Sequence, residues 1–238
     1  MIRFILLLGA LFALCVSHST AQAQYSDEHR RPNESREMFA FELGVGQYRP
    51  NVGNGAFEEV FASDQGPAVR LELDILPYRI PYVGRVGVGL NAGWSLHSAG
   101  ACLRDEATNA INCDQRADEE TEMRIWPLGL MAVLRIDVLA RELSIPLLLT
   151  GKIGLDAVVY DLNTGARDDA SGISFGLKWS AQVALELDFI RPTRARSLDE
   201  EWGINHTFLF VEMFGSTAAS NLPVGTDLSW LAGLGMTF

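Results

Sequence analysis

Past residue 23 the chain has three histidines, His29, His97 and His206. His97 stands between Ser95 and Ser98, so a serine nucleophile and a histidine base are close in sequence. An acid from the following loop would complete a hydrolase triad. The simpler reading is a polar residue near a strand end, and it is preferred. The His-x-Ser pattern of lipid A deacylase barrels is absent, as are HExxH, CxxC and a P-loop. His206 reads as a residue of the periplasmic rim. The stretch 44–55, GVGQYRPNVGNG, is rich in glycine but leads into no helix, so it is a poor phosphate cradle. Asp105, Asp114, Asp118, Glu119 and Glu120 cluster in one polar region that could hold Ca²⁺ or bridge lipopolysaccharide through divalent ions. A solvated acidic loop is the preferred reading. No catalytic, metal or cofactor site is assigned, and the chain is not expected to be an enzyme.

A larger set of charged residues recurs at every second position. Glu42, Arg70, Glu72, Asp74, Arg135, Asp137, Lys152, Asp156, Lys178, Glu186, Asp188 and Glu212 alternate with aliphatic and aromatic residues. Period-2 alternation belongs to extended strands with one apolar and one polar face. The clearest case is 171–190, where Ile173, Phe175, Leu177, Trp179, Ala181, Val183, Leu185, Leu187 and Phe189 oppose Ser174, Lys178, Gln182, Glu186 and Asp188.

Seven further segments share the pattern: MFAFELGVGQY, AVRLELDIL, RVGVGLNAGWSLHS, IWPLGLMAVLRIDV, LLLTGKIGLDAVVY, HTFLFVEMF and LSWLAGLGMTF. In the fourth strand along the chain, Met123 and Ile125 lie on the opposite parity from Leu128, Leu130 and Leu134. A bulge or strand edge is therefore expected at Pro127, which has no N–H to donate. In the seventh strand Glu212 sets the inward parity, so Phe208, Phe210 and Phe214 point inward, the least typical pattern of the eight.

The charges decide which row faces in. A charge facing lipid costs about 2–4 kcal/mol near the bilayer midplane, so in a membrane barrel the charged row lines the lumen as a network. In a soluble lipocalin-like barrel the same charges would face water. The last strand, ending on Phe238, and the loop lengths favour the membrane barrel. Residues 50–66, 99–122, 161–171 and 215–226 read as longer loops, whereas 77–81 and 139–145 are short. That alternation is the outer-membrane rule. The exception, 191–203, has capping-box spacing from Ser197 to Glu200 and a terminating Gly203, so a short periplasmic helical turn is expected there.

The ends agree. Residues 1–23 combine Arg3, an apolar run from Phe4 to Val16 and the small-residue site Ala21-Gln22-Ala23, a secretory signal. Residues 24–36 read as a loose periplasmic leader and 37–238 as the barrel. The formal charge of −11 becomes about −12 without the signal, which argues against nucleic-acid binding. In an oxidising compartment Cys102 and Cys113 are expected to form a disulfide, since the segment offers too few ligands for a metal.

The signal, the eight strands and terminal Phe238 resemble the small outer-membrane β-barrels of Gram-negative bacteria. YRIPYVGRVGVGLNAGWS, WPLGLMAVLRIDVLARELSIPL and SLDEEWGINHTFLFVE are similar to a family of outer-membrane barrel proteins from myxobacteria and their relatives. The resemblance implies an all-β, eight-stranded antiparallel up-and-down transmembrane barrel in the bacterial outer membrane. A monomer in contact with lipid and lipopolysaccharide is expected. The barrel-assembly machinery would read the C-terminal strand through Trp230, Leu234, Met236 and Phe238. A structural or surface-interaction role with a lumen plugged by charges is expected ahead of a narrow channel or carrier. A lipid-modifying enzyme comes last.

Overall fold

In a computed structural model of the chain, the described residues are 37–52, Phe57, Phe61, 65–104, 111–163, 170–190, 192–218 and 224–238. Side chains at 101–104, 111–119, 192–196 and 218 lie outside that description. Nine antiparallel strands form one sheet: β1 (Phe39–Tyr48), β2 (Pro50–Val52), β3 (Gly66–Ile80), β4 (Gly84–Arg104), β5 (Ile111–Ile136), β6 (Leu147–Asn163), β7 (Ala170–Glu186), β8 (His206–Ala218) and β9 (Val224–Thr237). Each long strand pairs with its neighbours in sequence, and β1 pairs with β9, so eight long strands close into a barrel. Short β2 only extends the seam along β9. The signal and leader segments, 1–23 and 24–36, lie outside the described residues.

Alternation fixes the register. Phe39, Phe41, Leu43 and Val45 face outward while Ala40 and Glu42 are buried, and β7 repeats the pattern from Ile173 to Glu186. The outer surface is a belt of exposed Val, Leu, Ile, Phe and Trp, and the buried row carries most of the charge. Such an apolar exterior is stable only against lipid.

Three expectations need correcting. The ladder runs through Pro127 without a shift, with Trp126 opposite Val159, Pro127 opposite Val158 and Leu128 opposite Ala157. No bulge is needed because the proline ring lies over Gly93 on β4, where a Cβ would come within 3.0 Å of it. Met123 and Ile125 therefore keep the inward parity and are buried inside the barrel. The register shifts fall instead between Ile75 and Tyr78, around Cys102, and between Phe214 and Ser216.

Much of the expected loop 99–122 is strand, because the β4–β5 ladder continues to Arg104 opposite Ile111. The helical turn near 197 is a longer helix. Of the two described helices, α1 covers Val138–Arg141 and α2 covers Pro192–Trp202. Helix α2 starts at Pro192, whose fixed φ and missing N–H suit a first turn, and this leaves Ser197 inside it. It ends as expected: Gly203 has φ +68°, its N–H reaches the Asp199 carbonyl at 3.0 Å, and the Ile204 N–H reaches that of Leu198 at 3.2 Å.

The parity is testable by paired substitution. Val183→Arg on the exposed row should cost about 2–4 kcal/mol in lipid vesicles. Gln182→Arg, entering the acidic interior, should cost less. Gel mobility of folded against heat-unfolded barrel measures both, and equal losses would contradict the assignment.

Candidate functional site

The interior has three levels. Halfway along the barrel is a polar network. Glu42 Oε1 accepts from Arg135 Nη2 at 2.8 Å, and its Oε2 accepts from Lys152 Nζ at 3.2 Å and Gln182 Nε2 at 2.9 Å. Lys152 also donates to Glu72 Oε1 at 2.6 Å and lies 3.4 Å from Asp74 Oδ2. Arg70 donates to Glu212 Oε2 and lies 3.4 Å from Glu72 Oε2. Lys178 donates to Asn91 Oδ1 at 2.9 Å and lies 3.5 Å from Asp156. Six of the eight long strands supply the nine charged members of this layer, which are all buried.

Two inward phenylalanines of β8, Phe208 and Phe214, border this layer. Arg70 lies over the Phe214 ring at 5.0 Å, Lys178 at 5.7 Å, and Arg135 over Phe208 at 5.3 Å. A desolvated cation gains from an aromatic face, so the rings that break the polar pattern of the strand complete the cation shells.

Toward the long-loop end the lumen turns apolar. Tyr48, Met123, Ile125, Val158, Tyr160, Phe214, Val224 and Leu231 form one buried cluster with Phe57 and Phe61 from between β2 and β3. His97 is buried there. Its ring meets Phe57 edge-on at 4.9 Å, and a Cβ on Gly66 would come within 2.6 Å of its Nδ1. Ser95 Oγ donates to the Pro67 carbonyl at 2.8 Å and lies 3.0 Å from His97 Nε2. The one hydroxyl proton of Ser95 is shared between two neighbours, and the direction of the His97 contact depends on the histidine tautomer.

At the end where β1 begins and β9 ends an ion-pair clamp closes the lumen. Asp137, Glu186 and Asp188, expected within the lumen row, sit at this rim because β5 and β7 end at Ile136 and Glu186. Asp137 lies 3.7 Å from Arg79 and 3.8 Å from Arg85, and Arg141 of α1 pairs with Glu186 at 2.9 Å. Glu37, just before β1, meets Arg85 at 3.1 Å, Arg141 at 3.5 Å and His206 Nε2 at 2.9 Å. His206 Nδ1 engages Asp188 on its other side. Burial alone would push the Glu37 carboxyl up, but the His206 hydrogen bond and the charges of Arg85, His206 and Arg141 hold it well below the usual range. For Arg141, burial is likewise outweighed, by Glu37, Glu186 and Asp137, and its affinity for the proton rises.

The sequence gives no signal for Glu37, Arg79, Arg85 and Arg141, and it sets Asn91 and Gln182 only on the polar rows of their strands. Asn91 and Gln182 carry the inward-parity signal but no charge. The four rim residues lie at strand ends, where alternation gives no guide.

On the C-terminal strand, Trp230 and Leu234 face outward, and Trp230 Nε1 donates to Gln47 at 3.1 Å. Met236 and Phe238 are half-buried at the seam, where the Phe238 carbonyl accepts the N–H groups of Met38 at 2.6 Å and Phe39 at 3.1 Å. The ladder sets Cys102 opposite Arg116, while the side chains of Cys102 and Cys113 lie outside the described residues, as do those of Asp105, Asp114, Asp118 and Glu119.

An apolar exterior, a closed ladder and a paired polar interior define the class: a small eight-stranded β-barrel of the bacterial outer-membrane type. The chain is similar in fold to the outer-membrane protein OprG from Pseudomonas aeruginosa, with a TM-score of 0.51 and 11% identity over 87% of this chain and 98% of that one. Lower scores join it to Neisserial surface protein A (0.49, 12% identity, 84% and 97% covered) and to Ail, the attachment invasion locus protein of Yersinia pestis (0.44, 12%, 86% and 100%). No family model and no curated protein matches the sequence, so these comparisons do not extend to the myxobacterial likeness.

The clamp makes a pH-dependent prediction. Because the Glu37 carboxyl is held below its unfolded value of about 4.3, its contribution is complete above that pH and fades as acid protonates it. Glu37→Gln should lower the heat-unfolding midpoint at pH 7, and the gap from the parent should narrow between about pH 5 and pH 2. A gap equally wide at both extremes would contradict the pairing.

Proposed function

We propose that the chain is an exported, monomeric outer-membrane barrel with a structural or surface-interaction role, its lumen plugged by its own side chains. The observation that carries this reading is the filling of the interior at three successive levels: apolar cluster, ion-pair layer and rim clamp. Eight strands leave room for little beyond side chains.

On this reading residues 1–23 direct export, and the termini face the periplasm. The long-loop end faces out, where its acidic residues meet lipopolysaccharide through divalent ions. The barrel-assembly machinery recognises the C-terminal strand by Trp230, Leu234, Met236 and Phe238. A Cys102–Cys113 disulfide would tie the β4–β5 hairpin in the oxidising compartment. The likeness to myxobacterial barrels rests on the three quoted stretches. A narrow-channel reading draws on one observation, the buried oxygens without hydrogen-bond partners in the polar layer.

Two measurements test these statements. In planar bilayers with KCl the folded barrel should insert without discrete conductance steps; reproducible cation-selective steps would replace the plug with the channel. A cysteine at Asp105, in a chain with Cys102 and Cys113 changed to serine, should react with an impermeant maleimide on intact cells. Labelling only after the envelope is opened would reverse the orientation.

A further inference from the structure

The polar layer is out of balance in two independent ways. In charge, Glu42, Glu72, Asp74, Asp156 and Glu212 face Arg70, Arg135, Lys152 and Lys178, one carboxylate more than cations, all less than a tenth exposed. A buried excess of charge is costly unless something neutralises it. In hydrogen bonding, Glu72 Oε2, Asp74 Oδ1, Asp156 Oδ1, Gln182 Oε1 and Glu212 Oε1 are buried acceptors without a hydrogen-bond partner. Against these five, the layer has one unpartnered nitrogen donor, Arg135 Nη1, with Ser180 Oγ able to serve either way. Both deficits ask for positive charge.

The geometry says where it would sit. Glu42, Glu72 and Glu212 each present a carboxylate oxygen, and the three lie within 4.8 Å of one another. That spacing puts a point equidistant from all three within about 2.8 Å of each, in reach of a bound metal ion. Lys152 takes Glu72 Oε1 and Arg70 takes Glu212 Oε2, so Glu72 Oε2, which keeps only a 3.4 Å ion contact to Arg70, and Glu212 Oε1 have no hydrogen bond. Gln182, neutral and 3% exposed, is the independent pointer. Its Nε2 is spent on Glu42, it stands opposite Glu212 in the β7–β8 ladder, and its Oε1 has no partner. An excess of one charge selects a monovalent ion, because a divalent one would leave the layer positive.

We infer that the mid-barrel layer binds one monovalent metal cation of sodium or potassium size, held by Glu72, Glu212 and Glu42 with Gln182 as a neutral oxygen donor. The plug is then built from the chain together with its counter-ion. The inference rests on the plugged reading of the lumen but is tested apart from it, by stability rather than conductance.

The test uses the full barrel folded in non-ionic detergent, with the heat-unfolding midpoint followed by circular dichroism. Salts are KCl, NaCl and choline chloride at one ionic strength. The midpoint should be higher in KCl or NaCl than in choline chloride and rise with the logarithm of their concentration, as for a ligand bound only by the folded state. Equilibrium dialysis with rubidium should find about one ion per barrel, the stoichiometry that the single excess charge requires. Asp74→Asn removes that charge and should weaken the dependence about tenfold or more. Equal midpoints in the three salts would overturn the inference, as would an unchanged dependence in D74N. A midpoint indifferent to salt but rising as pH is lowered from 8 to 6 would also overturn it, making a proton the counter-charge. If D74N does not fold, the salt comparison on the parent chain and the rubidium count still decide.

Discussion

Closure of the backbone ladder is the constraint from which the rest of this structure follows. In hydrocarbon no water can satisfy an open strand edge, and each stranded N–H or C=O costs several kcal/mol. The seam between β1 and β9 removes both edges at once, from Ala40 opposite Thr237 to Gln47 opposite Trp230. Beyond the strands, Met38 and Phe39 still donate to the Phe238 carbonyl, and Phe238 donates to that of Phe39 at 2.9 Å. The last residue of the chain is therefore part of the hydrogen-bonded wall.

A closed wall of eight strands dictates the inside. Every outward residue must be apolar, so whatever the chain carries in charge is driven into a narrow, poorly hydrated space. There the charges have to meet partners from distant strands, and they do: Lys152 of β6 joins Glu42 of β1 to Glu72 and Asp74 of β3. Such contacts hold the cross-section as struts. Space is found by glycine where walls or side chains crowd, as at Gly235, where a Cβ would lie 2.3 Å from the Phe208 ring.

The two ends are sealed by different chemistry for a physical reason. At the long-loop end the interior is closed by rings stacked on rings, with Phe57 and Phe61 at 4.5 Å, which gain by leaving water together. At the terminal end the connections carry Arg141, Asp188 and neighbouring charges beside Arg79 and Arg85, and there the seal is electrostatic. Glu37 ties the residue before β1 into that seal.

By itself the sequence determined the strand count, the outward row and the inward row, because alternation with period 2 is a local property of each segment. It placed Glu42, Arg70, Glu72, Asp74, Arg135, Lys152, Asp156, Lys178 and Glu212 on one face. It could not say which of them touch, since partners such as Arg70 and Glu212 are brought together only when the sheet curls shut. The parity switch read at Pro127 failed for the same reason. Met123 and Ile125 looked like an outward row because they are apolar, and only the closed barrel shows that its upper lumen is apolar too. Asp137, Glu186 and Asp188 lie at the rim because strand ends are set by turns and helices, which alternation does not record. The tertiary structure decided the pairings, the division of the lumen into layers and its charge imbalance, because each is a relation between strands far apart in the chain.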